Sequence, residues 1–183
     1  SRTNEIPLRA VRDGVNASRT SLGFDWRAHE SRKLSLAASF TDFSDSNQRS
    51  ALNLAWQERW YSSPRWMFET TLGLDGSHNT LENGFSYFNP KNDRSAWLTV
   101  AVEQLGWRNY EYSFRQRLAL TAGRYWQLEN DIQPGNIEAI EYGHRWELDR
   151  DLSLRYNIGR SLRPYDGVRE GRTFGNLSLL WRF

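Results

Sequence analysis

Five carboxylates, Asp25, Glu69, Asp75, Glu103 and Glu141, sit in short stretches where large apolar residues take every second place and these acids take places between. On an extended chain such acids project from one surface, and a row of them attracts a cationic chain rather than breaking a bond. The same surface carries Arg19, Arg27, Lys33, Arg59, Arg115, Arg117, Arg145, Arg155 and Arg182, so by count it is not acidic. Glu103 and Arg115 lie about equally far from a shared turn and are expected to pair across strands, where opposed charges contribute roughly 0.2–1 kcal/mol. Groups able to do covalent chemistry are sparse. Ser77 and His78 are neighbours, and a hydrolase would need them brought into a triad with an acidic or amide partner, which adjacency does not supply. His29, His78 and His144 show no ligand spacing and there is no Cys, so neither a metal site nor a disulfide is expected. No Walker or dinucleotide motif occurs. The expectation is therefore no enzyme and no cofactor. A formal net charge of +2 is also too balanced for a nucleic-acid partner.

The elements that must position these residues follow from a period of two. Nine alternating runs are expected: Arg19–Arg27, Lys33–Thr41, Ala51–Arg59, Phe68–Asp75, Leu98–Glu103, Tyr112–Thr121, Ala139–Trp146, Leu152–Ile158 and Asn176–Phe183. Lys33–Thr41 is typical, with Leu34, Leu36, Ala38 and Phe40 opposed to Ser35, Ala37 and Ser39. The chain is 38% hydrophobic and 14% aromatic, its mean hydropathy is −0.77, and no window nears the ~20 apolar residues of a spanning helix. The polar face mixes charges with Gly, Ala, Ser, Thr and Asn, which suits a wet lumen, while the opposite face suits lipid. A soluble sandwich, with Lys and Glu facing water, is the alternative.

Turn lengths point the same way. Brief turns (29–32, 61–65, 106–110, 147–151) alternate with generally longer loops (76–94, 127–136, 163–172), with 44–48 a short exception, as in outer-membrane barrels. Trp26, Trp60, Trp66, Trp107, Trp146 and Trp181 lie beside the short turns, and Phe40, Phe43, Trp97, Tyr125, Trp126 and Phe174 beside the long loops. Two interfacial girdles are expected. The chain ends in LLWRF, with Phe183 on the lipid face. If that end is periplasmic, nine strands leave Ser1–Ser18 outside, so an odd number of strands is expected to precede them in an even-numbered barrel. The fold class is all-β: a transmembrane outer-membrane antiparallel β-barrel, with residues 1–183 as its C-terminal nine strands.

Several segments resemble the barrel of porins that export poly-β-1,6-N-acetyl-D-glucosamine, the PgaA/HmsH family. They are EIPLRAVRDGV (5–15), DWRAHESRKLSL (25–36), SYFNPKNDRS (86–95), WRNYEYSFRQRL (107–118), YGHRWELDRDLSLRYNIGRS (142–161) and RPYDGVRE (163–170). The resemblance implies a sixteen-stranded, monomeric barrel in outer-membrane lipid. It also implies an N-terminal periplasmic domain of TPR repeats, absent from this chain, that meets a deacetylase partner. The implied substrate is a partly deacetylated, cationic biofilm polysaccharide. Asp25, Glu69, Asp75, Glu103, Glu141, Arg115 and Arg117 would then line its path, as a polymer track or as a structural ion-pair ladder. Export of another polymer, such as cellulose or alginate, and a lipid hydrolase are the alternatives. The longest loop, 76–94, is the candidate gate, where Phe85, Tyr87 and Phe88 would stack on sugar or anchor the loop to the wall.

Overall fold

A computed structural model describes residues 15–81, 89–128, 133–165 and 168–182. The strands are β1 (Ala17–His29), β2 (Arg32–Phe43), β3 (Gln48–Ser62), β4 (Trp66–Asn79), β5 (Asn92–Asn109), β6 (Tyr112–Gln127), β7 (Gly135–Glu147), β8 (Leu152–Tyr165) and β9 (Val168–Trp181). They form a single antiparallel sheet in sequence order, with β1 and β9 at its two edges. Eight expected runs lie wholly within strands; the ninth is strand to Trp181, and its end at Phe183 lies outside the described residues.

Register carries the alternation across the sheet. Phe24 lies opposite Leu36, Leu36 opposite Leu54, and Leu54 opposite Leu74. Further along, Val100 lies opposite Leu120, Leu120 opposite Ile140, and Tyr156 opposite Leu177. Because directly opposed residues share a face, a one-residue period in each strand becomes one continuous apolar surface. Among the described residues none covers that surface: Leu22 is 77% exposed and Leu177 73%. The buried apolar residues, Ala101, Ala119 and Ile137, lie on the other, polar face. An apolar outer surface around a polar concave one is the arrangement that lipid outside and water inside stabilise.

The strands run further than the alternation suggested, which corrects two loops. β4 continues to Asn79 and β5 resumes at Asn92, so the 76–94 loop shrinks to 80–91. β8 and β9 reach Tyr165 and Val168, so the expected 163–172 loop is mostly hairpin. Beyond the apolar band both faces of a strand meet water, and backbone pairing persists where the hydrophobic period has ended. At the opposite end, bulges at Arg27/His29, Arg59/Tyr61 and Leu105/Trp107 precede three of the tight turns, a common rim device. In one of these turns Tyr110 takes φ +51°. Arg150 reaches Glu111 in the neighbouring turn, and that hydrogen bond raises the guanidinium above its usual pKa.

A buried amide cluster fixes the long-loop end. Asn47 and Asn79 are both fully buried. Asn47 Nδ2 donates to Asn79 Oδ1 (3.4 Å), Asn79 Nδ2 to the Pro90 carbonyl (2.6 Å), and the Leu81 amide to Asn47 Oδ1 (3.2 Å). The amides thereby supply the partners that buried backbone requires, and they tie the β2–β3 turn to the base of the β4–β5 connection.

Candidate functional site

The inner face carries the candidate path, and it divides into two halves. Towards the long-loop end it forms a cavity of about 1050 Å3 whose lining runs from β3 to β9. Trp97, Tyr125 and Phe174 line it. This corrects the girdle reading, since these three rings turn inward while Phe40 stays 46% exposed on the outer face. Glycine explains the placement. Trp97 lies in one register row between Gly73 and Gly123, and a Cβ on Gly73 would sit 2.1 Å from its indole. The ring therefore lies flat on the wall where a neighbouring side chain would otherwise stand. Phe174 covers Gly159 in the same way, 2.5 Å from where a Cβ would be.

Two carboxylates complete this half. Asp75 accepts from Asn53 Nδ2 (2.7 Å), Ser95 Oγ (2.8 Å) and Trp97 Nε1 (2.8 Å). Asp93, which the sequence placed in the loop, accepts from Ser77 Oγ and from Tyr125 Oη (3.1 Å). Every one of these donors is neutral, so neither carboxylate is hydrogen-bonded to a cation directly; the guanidinium of Arg49 stands one bond further away, donating to Ser77 Oγ (3.2 Å). Thr99 and Thr121 share a hydrogen bond of 2.7 Å beside them. Across the cavity stand Arg163, Glu170 and Arg172.

Towards the short turns the inner face becomes an ion-pair ladder. Glu69, 6% exposed, accepts from Gln57 Nε2 (3.0 Å) and from Arg117 NH2 (2.6 Å). Arg117 stands directly opposite Glu103 but reaches past it to β4, over the small Ala101. Glu103 instead pairs with Arg115 at 3.2 Å, the expected pair, made diagonally because the register sets Glu103 opposite Arg117 and Arg115 opposite Leu105. Asp25 bonds Ser35 (2.6 Å) and Lys33 (3.0 Å). Glu141 accepts from Asn157 (3.1 Å). Arg115, Arg145 and Arg155 fall in one row and line a smaller cavity of about 350 Å3 with Glu103 and Glu141.

The structure separates the remaining candidates. Ser77 bonds Asp93 on the inner face, whereas His78 bonds Asn92 (Nδ1 to Oδ1, 2.9 Å) on the outer one. Consecutive strand residues point oppositely, so they form no nucleophile–base pair. Among the described residues no three His, Asp or Glu converge as metal ligands. Phe85, Tyr87 and Phe88, the expected gate, lie outside the described residues, as does Phe183. Sequence reasoning missed Asp93 and the inward turn of Trp97, Tyr125 and Phe174. A signal existed for Trp97, which alternates out of phase with Leu98, Val100 and Val102.

An inner face of charge and flat aromatics behind an apolar exterior matches a known family. The PgaA membrane beta barrel domain matches residues 1–183. This chain belongs to that family. It is 32% identical over 185 residues to the poly-beta-1,6-N-acetyl-D-glucosamine export proteins of Escherichia coli strain K12 and of Escherichia coli O157:H7. The alignment covers 99% of this chain and 22% of each relative, so the chain spans about a fifth of their length. Among solved structures it resembles a bacterial polysaccharide outer membrane secretin at TM-score 0.91 and 31% identity, over 100% of this chain and 62% of that one. The PgaA-family chain is thus an outer-membrane β-barrel segment of the bacterial cell, and its apolar face is the lipid-contacting one.

Proposed function

We propose that residues 1–183 are the C-terminal nine strands of a sixteen-stranded barrel. The whole protein passes partly deacetylated poly-β-1,6-N-acetyl-D-glucosamine through the lumen, without bond making and without a cofactor. The names of the curated relatives support this cargo. The observation that carries it here is Trp97, laid flat over Gly73 with its Nε1 held by Asp75. A hexosamine ring presents C–H groups to an indole face while its edge offers hydroxyls and, where deacetylated, an ammonium. Asp75 and Asp93 are placed to attract that ammonium, and Thr99 and Thr121 to exchange hydrogen bonds with hydroxyls. Weak, repeated contacts of this kind let a chain enter and still leave. Asp25, Glu69, Glu103 and Glu141, with Arg115 and Arg117, line the lower path as a structural ladder that keeps it wet. A periplasmic domain elsewhere in the protein would bring the deacetylase to the lumen mouth, and a single barrel would act as a monomer.

The test is surface glycan in cells lacking the full-length parent gene, scored with a β-1,6-specific glycosidase. Complementation with the intact gene should restore it. Trp97→Ala should restore several-fold less, with polymer retained inside, and Asp75→Asn/Asp93→Asn should act in the same direction. If deletion leaves surface glycan unchanged, the cargo is another polymer. If deletion abolishes it but the carboxylate variant exports normally, cationic attraction at this site is wrong.

A further inference from the structure

The outer face holds a second arrangement, unrelated to the lumen. His78 of β4, Arg94 of β5, Arg124 of β6, Glu138 of β7 and Arg160 of β8 form a diagonal across the sheet. Gly76 is opposite Arg94, Ala96 opposite Arg124, Ala122 opposite Glu138, and Ile140 opposite Arg160. Each member is therefore two residues displaced from the last, one strand on. In barrels whose strands tilt by about 35–45°, a step of two residues per strand spacing takes such a diagonal within about 10–20° of level around the wall. All of these positions share the face of Leu98, Leu120 and Ile158, at the long-loop end, which is the outer-leaflet side.

The belt differs from the polar residues on the same face near the short turns, which satisfy one another. There Tyr142 donates to Gln116 Oε1 (2.7 Å), His144 Nε2 bonds Tyr142 Oη (2.7 Å), and Gln116 Nε2 donates to Gln104 Oε1 (2.5 Å). In the belt, Glu138 is taken by Arg169 (2.6 Å). Among the described residues no carboxylate reaches Arg94, Arg124 or Arg160, all of them exposed. Guanidinium groups at the upper rim of the apolar band, with no carboxylate partner, attract anionic headgroups.

A trough lies alongside. One register row reads Leu22, Ala38, Leu52, Gly76, Arg94, and the next Thr20, Phe40, Ser50, His78, Asn92. Large and small residues alternate in both rows, so Ala38, Ser50 and Gly76 form a depression between Leu22, Phe40 and Leu52. This cavity of about 610 Å3 has His78 and Arg94 at its edge. An apolar trough with a guanidinium at its edge fits a molecule with acyl chains and a phosphate.

We propose that this outer face binds a phosphorylated, multiply acylated glycolipid of the outer leaflet. Its phosphate meets Arg94 and Arg124, and one acyl chain lies in the trough. The inference needs only the membrane orientation and is independent of what the lumen carries.

Titrate the full-length protein, solubilised in a neutral detergent, with bisphosphorylated lipid A, dephosphorylated lipid A and phosphatidylglycerol, and count adducts by native mass spectrometry. The bisphosphorylated lipid should bind at least about tenfold more tightly than the other two. Arg94→Gln/Arg124→Gln should abolish that preference, while Arg94→Lys/Arg124→Lys keeps most of it. Ala38→Leu should weaken both lipid A forms alike. Equal binding with and without phosphates, or equal binding of phosphatidylglycerol, would overturn the proposal. If the Gln variant does not fold, as judged by its heat-dependent gel shift, the lipid comparison on the unaltered protein still decides.

Discussion

The two halves of the inner face use one alternating strand pattern to opposite electrostatic ends. Near the short turns, most acids are answered by bases, as Glu69 is by Arg117, Glu103 by Arg115 and Asp25 by Lys33, while Glu141 accepts from the neutral Asn157. Near the long loops, Asp75 and Asp93 are held by Asn, Ser, Trp and Tyr. A carboxylate oriented by neutral donors is rigid and keeps more of its charge towards the lumen, although Arg49 donates to the Ser77 hydroxyl that bonds Asp93. One oriented by an arginine is rigid and largely neutralised. Counting nine bases against five acids averaged these halves and concealed the difference. What distinguishes them is the identity of the donor, which only register reveals.

The comparison breaks most severely if the upper wall loses its aromatic lining. Gly73→Val in the full-length protein places a branched side chain where the Trp97 indole lies. Overpacking of this kind costs roughly 1–3 kcal/mol or more, so the folded fraction in a urea titration, read by heat-dependent gel shift, should fall clearly. If Gly73→Val unfolds at the unaltered urea concentration, the flat seat of Trp97 is wrong. The lower half predicts a smaller effect. Glu69→Gln removes the partner of Arg117, whose side chain is 37% exposed. Solvent screening reduces the loss well below that of a fully buried pair, to about 1–2 kcal/mol. A Glu69→Gln/Arg117→Met double-mutant cycle measures it, and an interaction energy near zero would remove the ladder's structural role. Glu103→Gln, at a more exposed pair, should cost less than about 1 kcal/mol in the same assay.

The strands were legible because lipid enforces a strict period of two, and every run from Leu22–Trp26 to Leu177–Trp181 kept its expected phase. Their ends were not. Above the apolar band, Gly76–Asn79 and Asn92–Ala96 pair as strand with polar residues on both faces, and no hydrophobic signal marks them. That is why Asp93 read as loop. The aromatics misled for a different reason. Trp97, Tyr125 and Phe174 lie at the correct height for a girdle, and their distance from the loops says nothing about which face they occupy. Strand parity did say so: Trp97 is odd in a strand whose outward residues, Leu98, Val100 and Val102, are even. The Glu103–Arg115 pair was expected from a turn at 106–110; the strands instead run on to Asn109 and Tyr112, so the two residues are not equidistant from the turn and meet diagonally.

The finest test asks whether the two halves differ in available charge rather than only in bonding. Ion selectivity reads this directly, because a lumen carboxylate favours cations in proportion to its uncompensated charge. The full-length protein in a planar bilayer under a KCl gradient gives a reversal potential for each variant. Asp75→Asn removes a charge that neutral donors left intact, and the potential should shift towards anion preference. Asp93→Asn should shift it in the same direction. Glu103→Gln removes a charge that Arg115 already offsets, but it also frees that guanidinium, which in turn favours anions. The Glu103→Gln/Arg115→Gln double variant removes both charges and should return the potential close to that of the unaltered protein. No such second change is available for Asp75, since its partners Asn53, Ser95 and Trp97 carry no charge to remove. A shift for Asp75→Asn no larger than that of the Glu103/Arg115 double variant would mean that the upper carboxylates are as neutralised as the lower ones, and the division of the lumen would fail.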